Sequence, residues 1–321
     1  MDLQKIIDQA VESSTGNLAV RRIKEVGGGD INRSFLVETD ETRLFIKVNH
    51  GVPADFFEKE AMGLAELKQT NAVKVPEVLA YNGKSDAGRF LVLSYIKSTR
   101  SFQAEEKLGV QLAGMHRTKK PYYGLAHNNY IGTFQQENGR YDSWNTYYRT
   151  KKPYYGLAHN NYIGTFQQEN GRYDSWNTYY REKRLLTQIK LACEKGFLNE
   201  RQAEKHIRLA ESIGRWLPDN PRSSVLHGDL WGGNWMTGGD GSPYLIDPAV
   251  LYGDCQMDLA MTALFGGFTE RFYRAYEEAS GEALNRDIWP LYQLFYVYMH
   301  LNSFGESYLA HTERIVKQYI G

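Results

Sequence analysis

The sequence predicts an α+β fold in two parts, a small antiparallel sheet followed by a mainly helical region. Three observations lead there. Between residues 17 and 96, short runs rich in Val, Ile, Leu and Phe alternate with turns, as consecutive antiparallel strands do. Beyond Ser101 the apolar spacing becomes helical, with Leu108, Leu112 and Met115 in one segment and Ala203, Ile207, Leu209, Ala210 and Ile213 in another. Only SVLHGDL and PYLIDPA, two short apolar runs around a polar loop, interrupt the helical pattern. Layered on one another these elements give two lobes, residues 1–96 and 97–321.

At the N-terminus Leu3, Ile6, Ile7, Ala10 and Val11 fall on one helical stripe with acids between them. NLAVRRIKEV, RSFLVETD and RLFIKVN read as strands, the latter two joined by a turn at Asp40 and Glu41. A helix from about Ala54 to Gln69 comes next, then a strand pair ending in RFLVLSYI, Arg89 to Ile96. The 32 residues from Thr118 to Arg149 then recur without a single change from Thr150 to Arg181. Solenoids need about three or more units, usually divergent, so two identical copies mark a recent or engineered duplication. Each copy holds six of the 23 tyrosines, so the tyrosine excess carries no functional meaning.

The copies differ in the residues on their C-terminal side. The second runs into EKRLLTQIKLAC, which continues Trp176, Tyr179 and Tyr180 with Leu186, Ile189 and Cys193 on one stripe. After Trp144, Tyr147 and Tyr148 of the first comes TKKP, where Pro153 biases Lys152 away from helix. The second copy is therefore expected to supply the native helix, with the extra residues inserted before it. For the upstream part, Tyr154 to Gly164 is preferred over Tyr122 to Gly132.

Composition removes several functions. Lys+Arg and Asp+Glu are both 38, so no basic surplus points to nucleic acid or an anionic membrane. Cys193 and Cys255 are too few and too far apart for a disulfide framework or a zinc site, as expected of a chain in the cytoplasm. No run approaches the roughly 20 apolar residues that span a bilayer, and the N-terminus lacks the basic start and apolar run of a signal peptide.

The chemistry concentrates in HGDLWGGNW, His227 to Trp235, and LIDPA. Asp229 and Asn234 lie five residues apart in a glycine-rich loop, and Asp247 comes thirteen residues later at the end of an apolar run. That spacing matches the catalytic loop and metal-binding acid of kinase-like enzymes. Phosphoryl transfer needs a base near the acceptor hydroxyl, hard oxygen ligands for magnesium, and donors over the phosphates. Asp229 is assigned as the base, with Asn234 and Asp247 as Mg2+ ligands. In the first lobe GGGDIN offers Gly27, Gly28, Gly29 and Asn32 beside phosphates, and Lys47 sits on the next strand, able to pair with them. Glu60 on the next helix can pair Lys47, with Glu58 and Glu66 as competitors.

These residues, with HNNYIG, QQENG, DSW, LIDPAVLYGDCQMDLAMTALFGGF and HLNSFGESY, resemble the fructosamine kinase (ketosamine-3-kinase) family. That family lies within the aminoglycoside phosphotransferase and protein-kinase-like fold. The resemblance implies ATP-dependent phosphorylation of the 3-hydroxyl of a ketosamine, with ATP and Mg2+ as cofactors and deglycation as the role. It implies Leu93 and Tyr95, where the hinge falls, for the cofactor, and Trp231, Asn161, His300 and Asn302 for the substrate. A monomer without nucleic-acid or membrane partners is expected. Two positions depart from the family: Asp30 stands where many members have cysteine, and Gln256 where an acid is usual. Asp258 remains as a candidate to hold the catalytic loop. Another small-molecule kinase, for an aminoglycoside or choline, and a nucleotide-binding protein inactivated by the duplication are the alternatives.

Overall fold

The computed structural model describes residues 3–16, 18–27, 32–82, 88–99, 101, 103–118, 129–131, 134–136, 155–157, 159–163, 166–171 and 173–321. Helix α1 (Leu3–Thr15) leads into strands β1 (Val20–Val26), β2 (Arg33–Thr39) and β3 (Arg43–Asn49). Helix α2 (Phe56–Gln69) precedes β4 (Val78–Tyr81) and β5 (Arg89–Ser94). The five strands form one antiparallel sheet in the order β1-β2-β3-β5-β4.

Alternation along these strands sorts side chains between two helices. Leu44, Ile46, Val48, Phe90 and Val92 face α1, where Ile6, Ile7, Ala10 and Val11 cover them. Leu91 and Leu93 point the other way and pack with Phe56, Phe57, Ala61 and Leu64 of α2. The period of two therefore puts Lys47 on the α2 side. A slip of one residue would turn it away from that helix.

Helix α3 (Ala104–Arg117) opens the helical part. Two hairpins from the repeated segment come next, β6 (Asn129–Ile131) with β7 (Phe134–Gln136), and β8 (Asn161–Ile163) with β9 (Phe166–Gln168), in equivalent registers. The second copy is woven into the core. Tyr155 and Gly156 bridge to Tyr173 and Tyr252, and the Trp176 ring is fully buried, its Nε1 donating to Tyr292 Oη at 2.9 Å. Trp144, Tyr147 and Tyr148 of the first copy lie outside the described residues.

Helix α4 (Trp176–Tyr180) passes through a π-helical turn at Arg181–Leu185 into α5 (Leu186–Glu194). This corrects the expected stripe. The wide turn re-phases the helix, so Arg184, Leu185, Gln188, Ile189 and Ala192 are buried while Leu186 and Cys193 pack only at its edge. The Arg184 guanidinium occupies the interior between the rings of Tyr179 and Phe295 and donates to Asn170 Oδ1 at 2.6 Å.

After α6 (Glu200–Glu211) come four short strands, β10 (Ser224–Leu226), β11 (Trp235–Thr237), β12 (Pro243–Leu245) and β13 (Leu251–Gly253). β10 pairs with β13 and β11 with β12. Helices α7 (Gln256–Leu264), α8 (Glu270–Ser280), α9 (Trp289–Phe304) and α10 (Leu309–Ile320) complete the chain. α9 is apolar around most of its circumference and is accordingly central. Among the described residues no helix is long and apolar enough to cross a membrane.

Candidate active site

The loop 227–234 leaves β10, and the loop carrying Asp247 leaves β12, so the pairing of β10 with β13 and of β11 with β12 brings the two loops side by side. Backbone bonds lock them: Ala249 N donates to His227 O at 2.8 Å and Ile246 N to Asn234 O at 3.0 Å. The imidazole of His227, fully buried, reaches Ile246 O through Nε2 at 2.9 Å. Gly228 has φ +81°, and a Cβ there would lie 2.1 Å from Ala249 O, so only glycine fits the crossing. Asp247 itself has φ +55°, a conformation few side chains adopt, held by these same contacts.

Asp258, fully buried on α7, anchors the first loop. Its carboxylate accepts from His227 N at 2.7 Å and Gly228 N at 2.8 Å, and His116 Nε2 lies 3.2 Å away. Tyr296 on α9 adds a bond from its hydroxyl to Gly228 O at 2.9 Å. Sequence reasoning anticipated Asp258 but missed Tyr296 and His116, which sit in helices whose apolar stripes gave no separate signal.

Within this frame Asn234 Nδ2 donates to Asp229 O at 2.8 Å and Asp229 Oδ2 at 3.0 Å, leaving its Oδ1 for another partner. The cavity leaves Asp229 partly open to water, yet its carboxyl lies deep in the molecule. That depth, and the nearby charge of Asp247, push its pKa up to about 7, while the Asn234 bond pulls down. Lys47 Nζ bonds Glu60 Oε1 at 2.8 Å and also reaches Asp247 Oδ1. Burial opposes the Lys47 charge, but its two carboxylate partners outweigh it and raise its pKa. Burial raises the Glu60 carboxyl against the pull of Lys47. Of the competitors, Glu58 is exposed and Glu66 accepts from Tyr252 Oη at 3.1 Å, so Glu60 is the partner.

Asp229, Asn234, Asp247 and Glu60 border one cavity of about 1360 Å³. Ligand sites commonly occupy about 300–1,000 Å³, so this volume has room for two reactants. A smaller cavity of about 450 Å³, bordered by Trp216, Arg222, Asp254 and Cys255, holds none of these groups. Asn32 borders the large cavity and accepts from Asn49 Nδ2 at 2.9 Å. Gly27 follows the last residue of β1, and Gly28 and Gly29 lie outside the described residues.

The remaining expected residues divide. Trp231 is 41% exposed on the cavity wall, its indole lying where a Cβ on Gly233 would be. His300 also borders the cavity, half-buried, with Nδ1 on Tyr296 O at 2.8 Å. Leu93 and Tyr95 do not border it: Leu93 is in phase with Leu91 and its side chain is spent on the α2 core, and Tyr95 lies half-buried past the end of β5. Asn161 and Asn302 border it; the Asn161 amide is committed at both ends, whereas Asn302 Oδ1 is buried with no hydrogen-bond partner among the described residues. Asn161 Nδ2 donates to Val250 O at 2.8 Å and its Oδ1 accepts from Asn170, while Asn302 Nδ2 donates to Gln188 Oε1 at 2.9 Å. Phe56, Lys59 and Tyr162 also border it; Tyr162 falls in the HNNYIG motif, whereas Phe56 and Lys59 carried no signal of their own.

Comparison with known proteins identifies the family and the fold. The fructosamine kinase family profile matches residues 3–153 and 149–321, two pieces that meet at the junction of the repeated copies. The chain is 32% identical over 300 residues to a probable ketoamine kinase of Enterococcus faecium, covering 93% of this chain and 95% of that protein. Among solved structures, a "putative fructosamine-3-kinase" of Thermobifida fusca superposes with a TM-score of 0.78 at 25% identity, covering 98% of each chain. An aminoglycoside phosphotransferase crystallised with AMP-PNP and hygromycin B gives a TM-score of 0.62 at 13% identity over 98% of this chain and 99% of that one, and so shares the fold. The chain belongs to the fructosamine kinase family and is an ATP-dependent phosphotransferase of kinase-like α+β fold.

Proposed function

We propose that the chain transfers the γ-phosphate of ATP to the 3-hydroxyl of a ketosamine, a fructosamine or ribulosamine, as a step in deglycation. The observation that carries this reading is the juxtaposition, on one cavity, of a carboxyl whose pKa is about 7 with Glu60 and Asp247, both bonded by Lys47. A relative from Oryza sativa, 28% identical over 304 residues that make up 93% of this chain and 78% of that protein, is a protein-ribulosamine 3-kinase. That relative supports the acceptor class.

In this reading the acceptor oxygen attacks the γ-phosphorus, the bond to the β-phosphate oxygen breaks, ADP leaves, and Asp229 takes the hydroxyl proton. A base with a pKa near the working pH suits that task. Lys47 pairs the nucleotide phosphates and Glu60 holds it in place. Asn234 Oδ1, turned away from Asp229, and the partly exposed carboxylate of Asp247 are hard oxygen donors that fit magnesium. When bound, magnesium would neutralise charge on the phosphates. Gly27, Gly28, Gly29 and Asn32 are proposed to cover the phosphates.

The working unit is proposed to be a cytoplasmic monomer, its lobes meeting near residue 96. A panel of acceptors tests the reading. A synthetic fructosamine and a ribulosamine should be phosphorylated with higher kcat/KM than free fructose, choline or an aminoglycoside. A higher kcat/KM for choline or the aminoglycoside would overturn the assignment.

A further inference from the structure

Trp231, Phe265 and Phe304 are 41%, 45% and 61% exposed, and all three border the cavity that contains Asp229. Single exposed aromatics are ordinary, whereas several converging on one reaction cavity ask for a ligand. His300 joins two of them, its ring 4.7 Å from that of Phe265 and 5.5 Å from that of Phe304, and Tyr308 stands 5.1 Å from His300. These four rings make a continuous wall from the segment after α7, the end of α9 and the turn before α10.

The wall is tied to the catalytic loop. A Cβ on Gly232 would lie 3.4 Å from Gly266 O, next to Phe265, so the loop and the first ring are neighbours. Tyr296 donates to Gly228 O through its hydroxyl and offers its own carbonyl to His300 Nδ1. Burial lowers the His300 pKa, which favours an uncharged imidazole at neutral pH. The carboxylates bordering the cavity are Glu60, Asp229 and Asp247, all at the reacting end. A cation held at the wall would thus meet ring faces rather than an acid. Lys195 also borders the cavity, tied to Asn302 O at 2.6 Å, but it is exposed and its repulsion is screened by water.

We propose, resting on the ketosamine reading above, that this wall is the subsite for the amine half of the substrate. The protonated secondary amine on C1, two carbons from the 3-hydroxyl, docks against the faces of Phe265 and Phe304 with His300 and Tyr308 behind them. The attraction is that of a cation for an aromatic quadrupole, together with burial of the carbon substituent on nitrogen. Phe265 and Phe304 are specificity-determining residues: they separate a ketosamine from a neutral ketose of the same length.

The test compares two acceptors of equal length, 1-deoxy-1-(methylamino)fructose and uncharged 1-O-methylfructose, in the parent, Phe265→Leu, Phe304→Leu and the double variant. The parent should prefer the amine in kcat/KM by about tenfold or more, the ratio expected of a partly desolvated cation–aromatic contact. The double variant should bring that ratio within about threefold by raising KM for the amine, with KM for ATP held. Both rings are substantially exposed, so folding should survive, and Phe304→Tyr should restore much of the preference. Transfer to both acceptors with a ratio unchanged by the double substitution overturns this inference alone. Transfer to neither by the parent overturns the ketosamine reading and the inference with it.

Discussion

The carboxyl of Asp229 combines a depth that discourages ionisation with the proposed role of base, which requires it. Its folded pKa of about 7 lies above the 3.8 of an ordinary aspartate, so between those values the folded state binds more protons than the unfolded one. Stability linked to this group is therefore fully present below about pH 3.8 and falls as pH rises through about 7. Asp229→Asn should melt higher than the parent above pH 7, with the difference fading toward pH 4. The same change should lower turnover by about 10²- to 10⁴-fold while leaving nucleotide affinity largely intact. Thermal melts across pH and steady-state kinetics check both halves, and wild-type turnover would defeat the role. Asp229, Asn234 and Asp247 were legible because a glycine-rich loop displays polar residues that no helix or strand pattern accounts for. The packing of the Leu93 side chain against α2 was not legible, because a motif fixes a strand's position but not which face a side chain takes. The amide partners of Asn161 and Asn302, Val250 O and Gln188, were not legible because they are distant in sequence.

The helical segment Trp176 to Glu194 shows what local pattern can and cannot give. Pro153 and the continuation into EKRLL identified the second copy as the one that continues into a helix, and the fully buried Trp176 agrees. The π turn was not legible, because nothing in REKRL distinguishes it from ordinary helix. It depends on Arg184 reaching Asn170 and the rings of Tyr179 and Phe295. Trp176→Ala should cost about 3–5 kcal/mol, since it empties a site lined by Tyr155, Tyr180 and Tyr292. Trp144→Ala should cost under about 1 kcal/mol, because that ring site is already filled. Denaturant unfolding of the two variants checks this, and equal losses or the reverse order would contradict it. The strands of the sheet were easier, since period-two alternation between two covering helices leaves each face its own apolar set.

For the whole molecule, the duplication is the largest departure from an ordinary kinase-like chain. The core contacts described for the repeated segment come from the second copy, through Tyr155, Gly156, Trp176 and Tyr180. Removing residues 118–149 leaves 289 residues with the second copy intact. Loop closure changes little with length, about 0.6 kcal/mol per doubling, so the shortened protein should melt within a few degrees of the parent and keep comparable turnover. Failure of the shortened chain to fold would show that the first copy carries part of the core. The two-part α+β plan was legible from the apolar periodicity, whereas the direct meeting of the two parts through side chains was not. That meeting depends on Lys47 of the sheet reaching Asp247 across 200 residues of sequence. The most direct test of the central claim is phosphorus NMR of the product formed from ATP, magnesium and a synthetic fructosamine. A single new resonance coupled to the proton on C3, present with the parent and absent with Asp229→Asn, is the expected result. Phosphate on another hydroxyl, or an equal yield from Asp229→Asn, would contradict it.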